Sequence, residues 1–315
     1  MFDNPGVFYS NDPKTIFDDQ WLLDQNRIYQ LKQHNLSILD FSSEHYGANG
    51  LDHVYHALES SDVNFLLLSY EPEDHKKFPR MLFYPYWYFI GIENFILPHC
   101  VPTERRFLWS CQNSNPRPHR IYNFLHAVNS EWIKKSIFTM HDCEGGAVRS
   151  DDYALSDIMT SQWEKTKLTL PVTQMLSSTA QKEISGPVFT DAYINLVTEV
   201  TVIPKVFLSE KTWKPIAAQQ LFLIFGNPGS VGALRSMGVD TYDDIIDHSY
   251  DSELDWQVRL SKIYNSLQQL ESQNLSQIYK DTTARRLKNA ELCLSGHFGQ
   301  IYKTMLDAAI TTFIK

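Results

Sequence analysis

Short apolar runs alternate with amphipathic stretches along this chain, the pattern of parallel sheets flanked by helices. The runs at 37–41, 63–69, 107–111, 136–140, 192–197 and 221–225 predict strands. Apolar positions at helical spacing predict helices at 18–33, 121–128, 214–219, 231–237, 254–270 and 301–313. There is no internal repeat and no low-complexity tract. Hydrophobic patterning is weakest at residues 144–152, where Gly145 and Gly146 are adjacent and charges follow, so the domain boundary is expected there. The resulting expectation is an α/β protein of two Rossmann-like domains, 1–150 and 151–315, facing a cleft. The amphipathic C-terminal helix is free to pack back across the first of them.

Length and composition agree with this picture. At 315 residues the chain is long for one domain, and its 43% hydrophobic content can fill sizeable cores. No apolar run reaches the roughly 18–20 residues of a membrane span, and Met1-Phe-Asp-Asn-Pro5 has neither a basic flank nor an apolar segment. A soluble, cytoplasmic protein without a membrane partner is the expectation. Cys100, Cys111, Cys143 and Cys293 lack CxxC spacing, which indicates neither a disulfide framework nor a zinc site. The formal charge of −9 disfavours polyanion binding by the whole surface, while leaving room for a local basic groove.

The stretch with most chemistry is Phe207-Leu-Ser-Glu-Lys-Thr-Trp213. A lysine in the first turn of a helix opposes the macrodipole unless an anion lies there to bind both. Ser209 is a natural N-cap and Glu210 suits the first turn. Pro215 leaves two geometries open: a helix capped at Ser209 and kinked by the proline, or one that begins near Lys214 with Glu210 and Lys211 in a loop. Both put the pair at the carboxyl edge of a parallel sheet, where open α/β folds bind ligands.

Three segments here resemble the donor-binding half of α1,3-fucosyltransferases. They are Ala192-Tyr-Ile-Asn-Leu-Val-Thr-Glu199, Phe207-Leu-Ser-Glu-Lys-Thr-Trp213 and Leu221-Phe-Leu-Ile-Phe-Gly-Asn-Pro-Gly229. In that family an F-N-L-x-F-E-N strand leads to Y-x-x-E-K and then to an apolar strand ending in glycine. The EKTWKP string is also similar to one carried by phage and viral glycosyltransferases. Upstream, Ser110-Cys-Gln-Asn-Ser-Asn-Pro-Arg-Pro-His-Arg120 resembles the family's S-N-P-x-x-P-x-R block. The patches cover about a third of the chain. The resemblance implies a GT-B type fold, with residues 151–315 binding the nucleotide sugar and residues 1–150 on the acceptor side. It implies Glu210 on the donor ribose, Lys211 and Arg120 on the pyrophosphate, and Glu199 and Gly226 beside the donor. Fixed cations suit a leaving nucleoside diphosphate, whose negative charge grows in the transition state. Two departures stand out: Phe207 replaces the family's tyrosine, and the arginine block is one residue shorter.

An inverting transfer also needs a carboxylate to take the proton of the attacking hydroxyl. Glu71 is the candidate, with Glu73 and Asp74 beside it, because Arg80-Met-Leu-Phe-Tyr-Pro85 resembles the R-M-P-L-Y-Y that follows the catalytic glutamate of bacterial fucosyltransferases. Phe83-Tyr-Pro-Tyr-Trp-Tyr-Phe89 reads as packing before it reads as a stacking platform. Asp240, Asp243, Asp244, Asp247 and Asp251 lack EF-hand spacing, and His141-Asp-Cys-Glu144 matches no standard metal site. The resemblance implies an inverting glycosyltransferase that uses a nucleotide sugar and neither a catalytic metal nor another cofactor. Its acceptor hydroxyl would belong to a glycan, a small molecule or a hydroxymethylated base in phage DNA, in a host cytoplasm if the protein is viral. For DNA, Arg105, Arg106, Arg117, His119, Lys76 and Lys77 would supply a local groove. The alternative is a catalytically silent, glycosyltransferase-like module that binds a nucleotide or saccharide.

Overall fold

The computed structural model describes residues 7–10, 29, 31–33, 35–41, 51–70, 74–84, 104–113, 116–140, 157–166, 184 and 186–314. It is a mixed α/β structure with two four-stranded parallel sheets. The chain divides into two units, one of Met1–Ile90 with His297–Lys315 and one of Gly91–Gly296. Among the described residues no helix is long and apolar enough to cross a membrane.

In the first unit, β1 (Val7–Ser10), β2 (Leu36–Phe41), α1 (Asp52–Ser60), β3 (Phe65–Ser69), α2 (Asp74–Lys77) and β4 (Met81–Phe83) build a sheet of order β1-β2-β3-β4. Alternation along β2 and β3 aims Leu39, Phe41, Phe65 and Leu67 at Val54, Tyr55 and Leu58 of α1, and these pack into one core with Met81. Leu66 and Leu68, on the other face of β3, are buried as well. A strand covered on both faces is what a continuous apolar run such as Phe-Leu-Leu-Leu predicts. The C-terminal helix, His297–Phe313, lies against β3. The Asn64 side chain donates to the Phe313 carbonyl at 2.9 Å and accepts from Arg80 at 2.6 Å, while the Arg80 guanidinium sits 5.1 Å from the Phe313 ring centre. Arg80 is therefore at the amino edge of this sheet, the end opposite the carboxyl end of β3.

In the second unit the elements are β5 (Phe107–Gln112), α3 (Pro118–Asn129), β6 (Ser136–Thr139), α4 (Asp157–Thr166), α5 (Pro187–Thr190), β7 (Ala192–Thr198), α6 (Glu210–Ala217), β8 (Leu221–Phe225), α7 (Ser230–Ser236), α8 (Trp256–Glu271), α9 (Leu275–Asp281) and α10 (Thr283–Leu294). The sheet order is β6-β5-β7-β8, parallel throughout. The chain steps one way from β5 to β6 and the other way from β7 to β8. Because such crossovers are right-handed, α3 and α6 cover opposite faces, and the order reverses between β5 and β7.

This sheet corrects the expected boundary near residue 150. Phe107, Trp109 and Ser110 of β5 pair with Ala192, Ile194 and Asn195 of β7, so residues before and after 150 share one set of backbone hydrogen bonds. The division falls instead at 90/91 and 296/297.

Candidate anion-binding site at the carboxyl edge of the second sheet

A reversal of strand order leaves a crevice outside the carboxyl ends of the strands beside it, where the two following helices diverge. Here those strands are β5 and β7. The helices that follow are α3, which carries the arginine block, and α6, which carries Glu210 and Lys211. Both sequence blocks therefore start from a place where the topology favours a ligand.

Local chemistry builds the start of α6. Ser209 is extended and caps the helix, its Oγ accepting from the Lys211 amide at 3.3 Å. Of the two geometries the sequence left open, the capped helix with an internal proline is the one observed. Pro215 has no N–H to give the Lys211 carbonyl, so the ladder is weakened one turn from the cap. Side chains compensate. Glu199, at 0% exposure, accepts through Oε1 from the Ser209 amide at 2.9 Å and the Thr212 hydroxyl at 2.6 Å. Its Oε2 accepts from the Ser209 hydroxyl at 2.6 Å and the Val200 amide at 3.1 Å.

The arginine block meets the same place from the other side. Arg117 donates to the Val200 carbonyl at 2.9 Å, His119 Nε2 to the Glu199 carbonyl at 2.8 Å, and Arg120 Nη2 to the Glu199 carbonyl at 3.1 Å and the Thr198 carbonyl at 3.4 Å. Arg259 of α8 holds the Val202 carbonyl at 3.2 Å and also the Gly226 carbonyl. Asn227 accepts from the Phe207 amide at 3.0 Å and donates to the Ile203 carbonyl at 2.7 Å. The β7 to α6 connection is thus fixed carbonyl by carbonyl.

Of the expected donor residues, the structure brings Arg120, Glu199, Glu210, Lys211 and Gly226 together at this edge, but in different roles. Lys211 is the most open, its side chain 24% exposed, with Nζ 2.6 Å from Glu210 Oε1. Burial alone would raise the Glu210 pKa, but the Lys211 charge and hydrogen bond, with Lys214 behind them, outweigh it and hold the carboxyl below its ordinary range. Arg120 is 2% exposed and aims at carbonyls, so it offers an anion its charge rather than its fork. Glu199 faces the protein with both oxygens. Gly226 is a packing glycine: a Cβ there would lie 3.0 Å from the Glu199 Cβ.

His119 reports the field that these groups produce. Its pKa is pushed well below the ordinary value first by burial and then by Arg120; the bond to the Glu199 carbonyl opposes this, and Arg117 and Lys211 add to it. One buried imidazole thus senses cations from both sequence blocks. Sequence reasoning placed His119 and Arg117 in a DNA groove and missed this role; the histidine's position one residue before Arg120 was the available signal. A consequence can be measured. The unfolded chain takes up the His119 proton near pH 6.5 while the folded one does not, so the stability is fully present above that pH and is lost as pH falls toward the folded value, by at most about 1.4 kcal/mol per pH unit. His126 and His248 shift in the same direction through burial. The difference between the parent and His119→Gln in urea unfolding at pH 7.5 and 5.5 isolates the effect, and equal pH dependence in the two proteins would refute it.

The chain matches no protein-family model, and no curated protein is similar to it. Among solved structures it is similar to the crystal structure of an α1,3-fucosyltransferase, at 11% identity and a TM-score of 0.40, over 98% of this chain and 89% of that one.

Glu71, Glu73 and the His141–Glu144 cluster (141–144) lie outside the described residues, as does the side chain of Asp74. Among the described residues no group of three or more His, Cys, Asp or Glu is arranged to hold a metal ion. Asp240 and Asp244 grip Arg285, Asp243 grips Arg235, and Asp247 bonds Ser249. Asp251 accepts from the amides of Val231 and Gly232, each at 2.9 Å, so the amide end of α7 is filled by the protein's own carboxylate. Residues 226–230 are therefore a turn, and Gly229, at φ 86°, takes the N-cap position of α7. Phe83 packs edge-on against Tyr70 and Tyr302.

The expected DNA groove is corrected. Arg105 is buried before β5, at the amino edge of the sheet, bonded to the Tyr279 hydroxyl and the Phe189 and Ala192 carbonyls. Arg117 and His119 are engaged at the carboxyl edge, so opposite ends of the sheet hold side chains that a single groove would need together.

Proposed function

We propose that this chain is an inverting glycosyltransferase that moves a sugar from a nucleoside diphosphate sugar to an acceptor hydroxyl. The observation that carries the reading is that the two cationic sequence blocks follow the two strands flanking the reversal of the second sheet and act together on His119. In this reading Lys211, aided by the amide end of α6, touches the diphosphate. Arg120 and Arg117 supply positive potential from behind the carbonyls they bond, and Glu210 takes a donor hydroxyl when Lys211 turns to phosphate. As the sugar–oxygen bond breaks, charge accumulates on the diphosphate oxygens, and cations already in place stabilise it without reorganisation. Glu71, two residues beyond the carboxyl end of β3, is the proposed proton acceptor, with Glu73 and Asp74 as its neighbours.

We propose a saccharide or small hydroxyl compound as acceptor over a hydroxymethylated base in phage DNA. The net charge of −9 and the engagement of Arg105, Arg117 and His119 within the protein favour that choice. Release of free nucleoside diphosphate from a panel of nucleotide sugars, with saccharide acceptors present, tests the activity. We expect turnover in the parent and a fall of about a hundredfold or more in kcat for Glu71→Gln. Nucleotide binding with no release under any acceptor would instead favour the catalytically silent module. Acceptor binding that weakens steeply with salt, measured with duplex DNA, would favour the DNA base.

A further inference from the structure

We infer that Glu199 is a positioning residue that couples the arginine block to the Lys211 turn, and that it does not touch the ligand. The inference rests on the donor site proposed above and changes the role of one of its members. Glu199 lies where the two halves of the site join. Its main-chain carbonyl accepts from His119 at 2.8 Å and Arg120 at 3.1 Å, while its carboxylate takes four donors from residues 200, 209 and 212. One residue therefore fixes α3 through its backbone and α6 through its side chain.

Three features make the coupling specific. The carboxylate is fully enclosed, and each oxygen already has two donors, so none of its acceptor capacity faces solvent. Pro215 removes the helical bond to the Lys211 carbonyl, which leaves the first turn of α6 dependent on the Ser209 cap and on Glu199. Gly226 gives the side chain its space, since any Cβ at that position would press on Glu199 Cβ and Cγ at 3.0 and 3.1 Å. A glutamine here keeps the shape but turns an N–H toward the Val200 amide or the Ser209 amide, so one donor loses its acceptor and the turn loosens while the core stays packed.

Amide hydrogen exchange and calorimetry on the full chain test this. In Glu199→Gln, exchange at residues 209–213 should speed by about tenfold or more while residues 192–197 of β7 keep their protection. The affinity for the best-bound member of a panel of ADP, GDP, UDP and CDP should fall about tenfold in Glu199→Gln, but by less than about threefold when the same change is made in Lys211→Ala, because the two act through one turn. The corresponding nucleoside, which carries no phosphate, should bind both proteins equally; a general loss of structure would weaken it too. Unchanged exchange at 209–213, or an equal affinity loss in both backgrounds, overturns the inference. If the parent binds none of the diphosphates, the proposed donor site falls, and the exchange measurement alone still decides whether Glu199 holds the α6 turn.

Discussion

Replacing Arg259 with methionine is expected to destabilise the protein by about 3 kcal/mol, measured as the free energy of urea unfolding. The guanidinium is buried to 1% exposure and, among the described residues, meets no carboxylate directly. Its donors reach the carbonyls of Gly226, Val202, Glu253 and Leu254. Burial is the main cause that lowers its pKa to about 10, with Asp251, Glu253 and Asp255 opposing, so it remains charged at neutral pH. Methionine relieves the desolvation of that charge but strips four carbonyls of a donor, those of Gly226 and Val202 buried, and the second effect is the larger. Arg259→Lys should recover little, because a single ammonium cannot span four acceptors that a planar fork reaches together. A methionine variant within about 0.5 kcal/mol of the parent would show that this anchoring is energetically idle.

Lys211→Ala is expected to weaken nucleoside diphosphate binding by about 30- to 100-fold, the worth of one or two charge-assisted hydrogen bonds. The fold itself should hardly notice. Lys211 is partly exposed, its main partner is the adjacent Glu210, and Lys214 still faces that carboxylate. Isothermal calorimetry at two salt concentrations separates the charge from other contributions, since the parent's affinity should decline with salt more steeply than the variant's. Equal affinities in parent and variant would remove Lys211 from the site, and with it the main contact of the proposed donor-binding reading.

Much of the secondary structure was legible because period-two and period-3.6 patterns come from local geometry. The strand expected at 221–225 coincides with β8, and those at 107–111 and 192–197 fall one residue short of β5 and β7. The helix expected to start at Lys214 begins at Glu210, because the Ser209 cap and Glu199 outweigh the internal proline. Strand β4, three residues long, has too few positions to display a period, whereas α1 with its N-cap carries Leu51, Val54, Tyr55 and Leu58 at helical spacing and was passed over in the sequence. The boundary near 150 was misplaced because a glycine-rich, charged stretch announces a connection without saying whether it joins two units or two strands of one sheet.

The site divides in the same way. What the sequence alone determined is chemical: a capped helix start bearing Glu210 and Lys211, an arginine block before another helix, and apolar strands leading into both. These follow from neighbours within a few residues, so they can be read in one dimension. Only the tertiary structure decided that β5 lies beside β7, which makes the two blocks meet at a reversal of strand order. It also decided that Glu199 and Gly226 face each other inside the protein, that Arg120 and His119 hold carbonyls 78 to 80 positions away, and that Arg259 closes the edge from α8. The reason is physical: a buried carboxylate or guanidinium is stable only where several donors or acceptors converge, and those arrive from segments far apart in the chain.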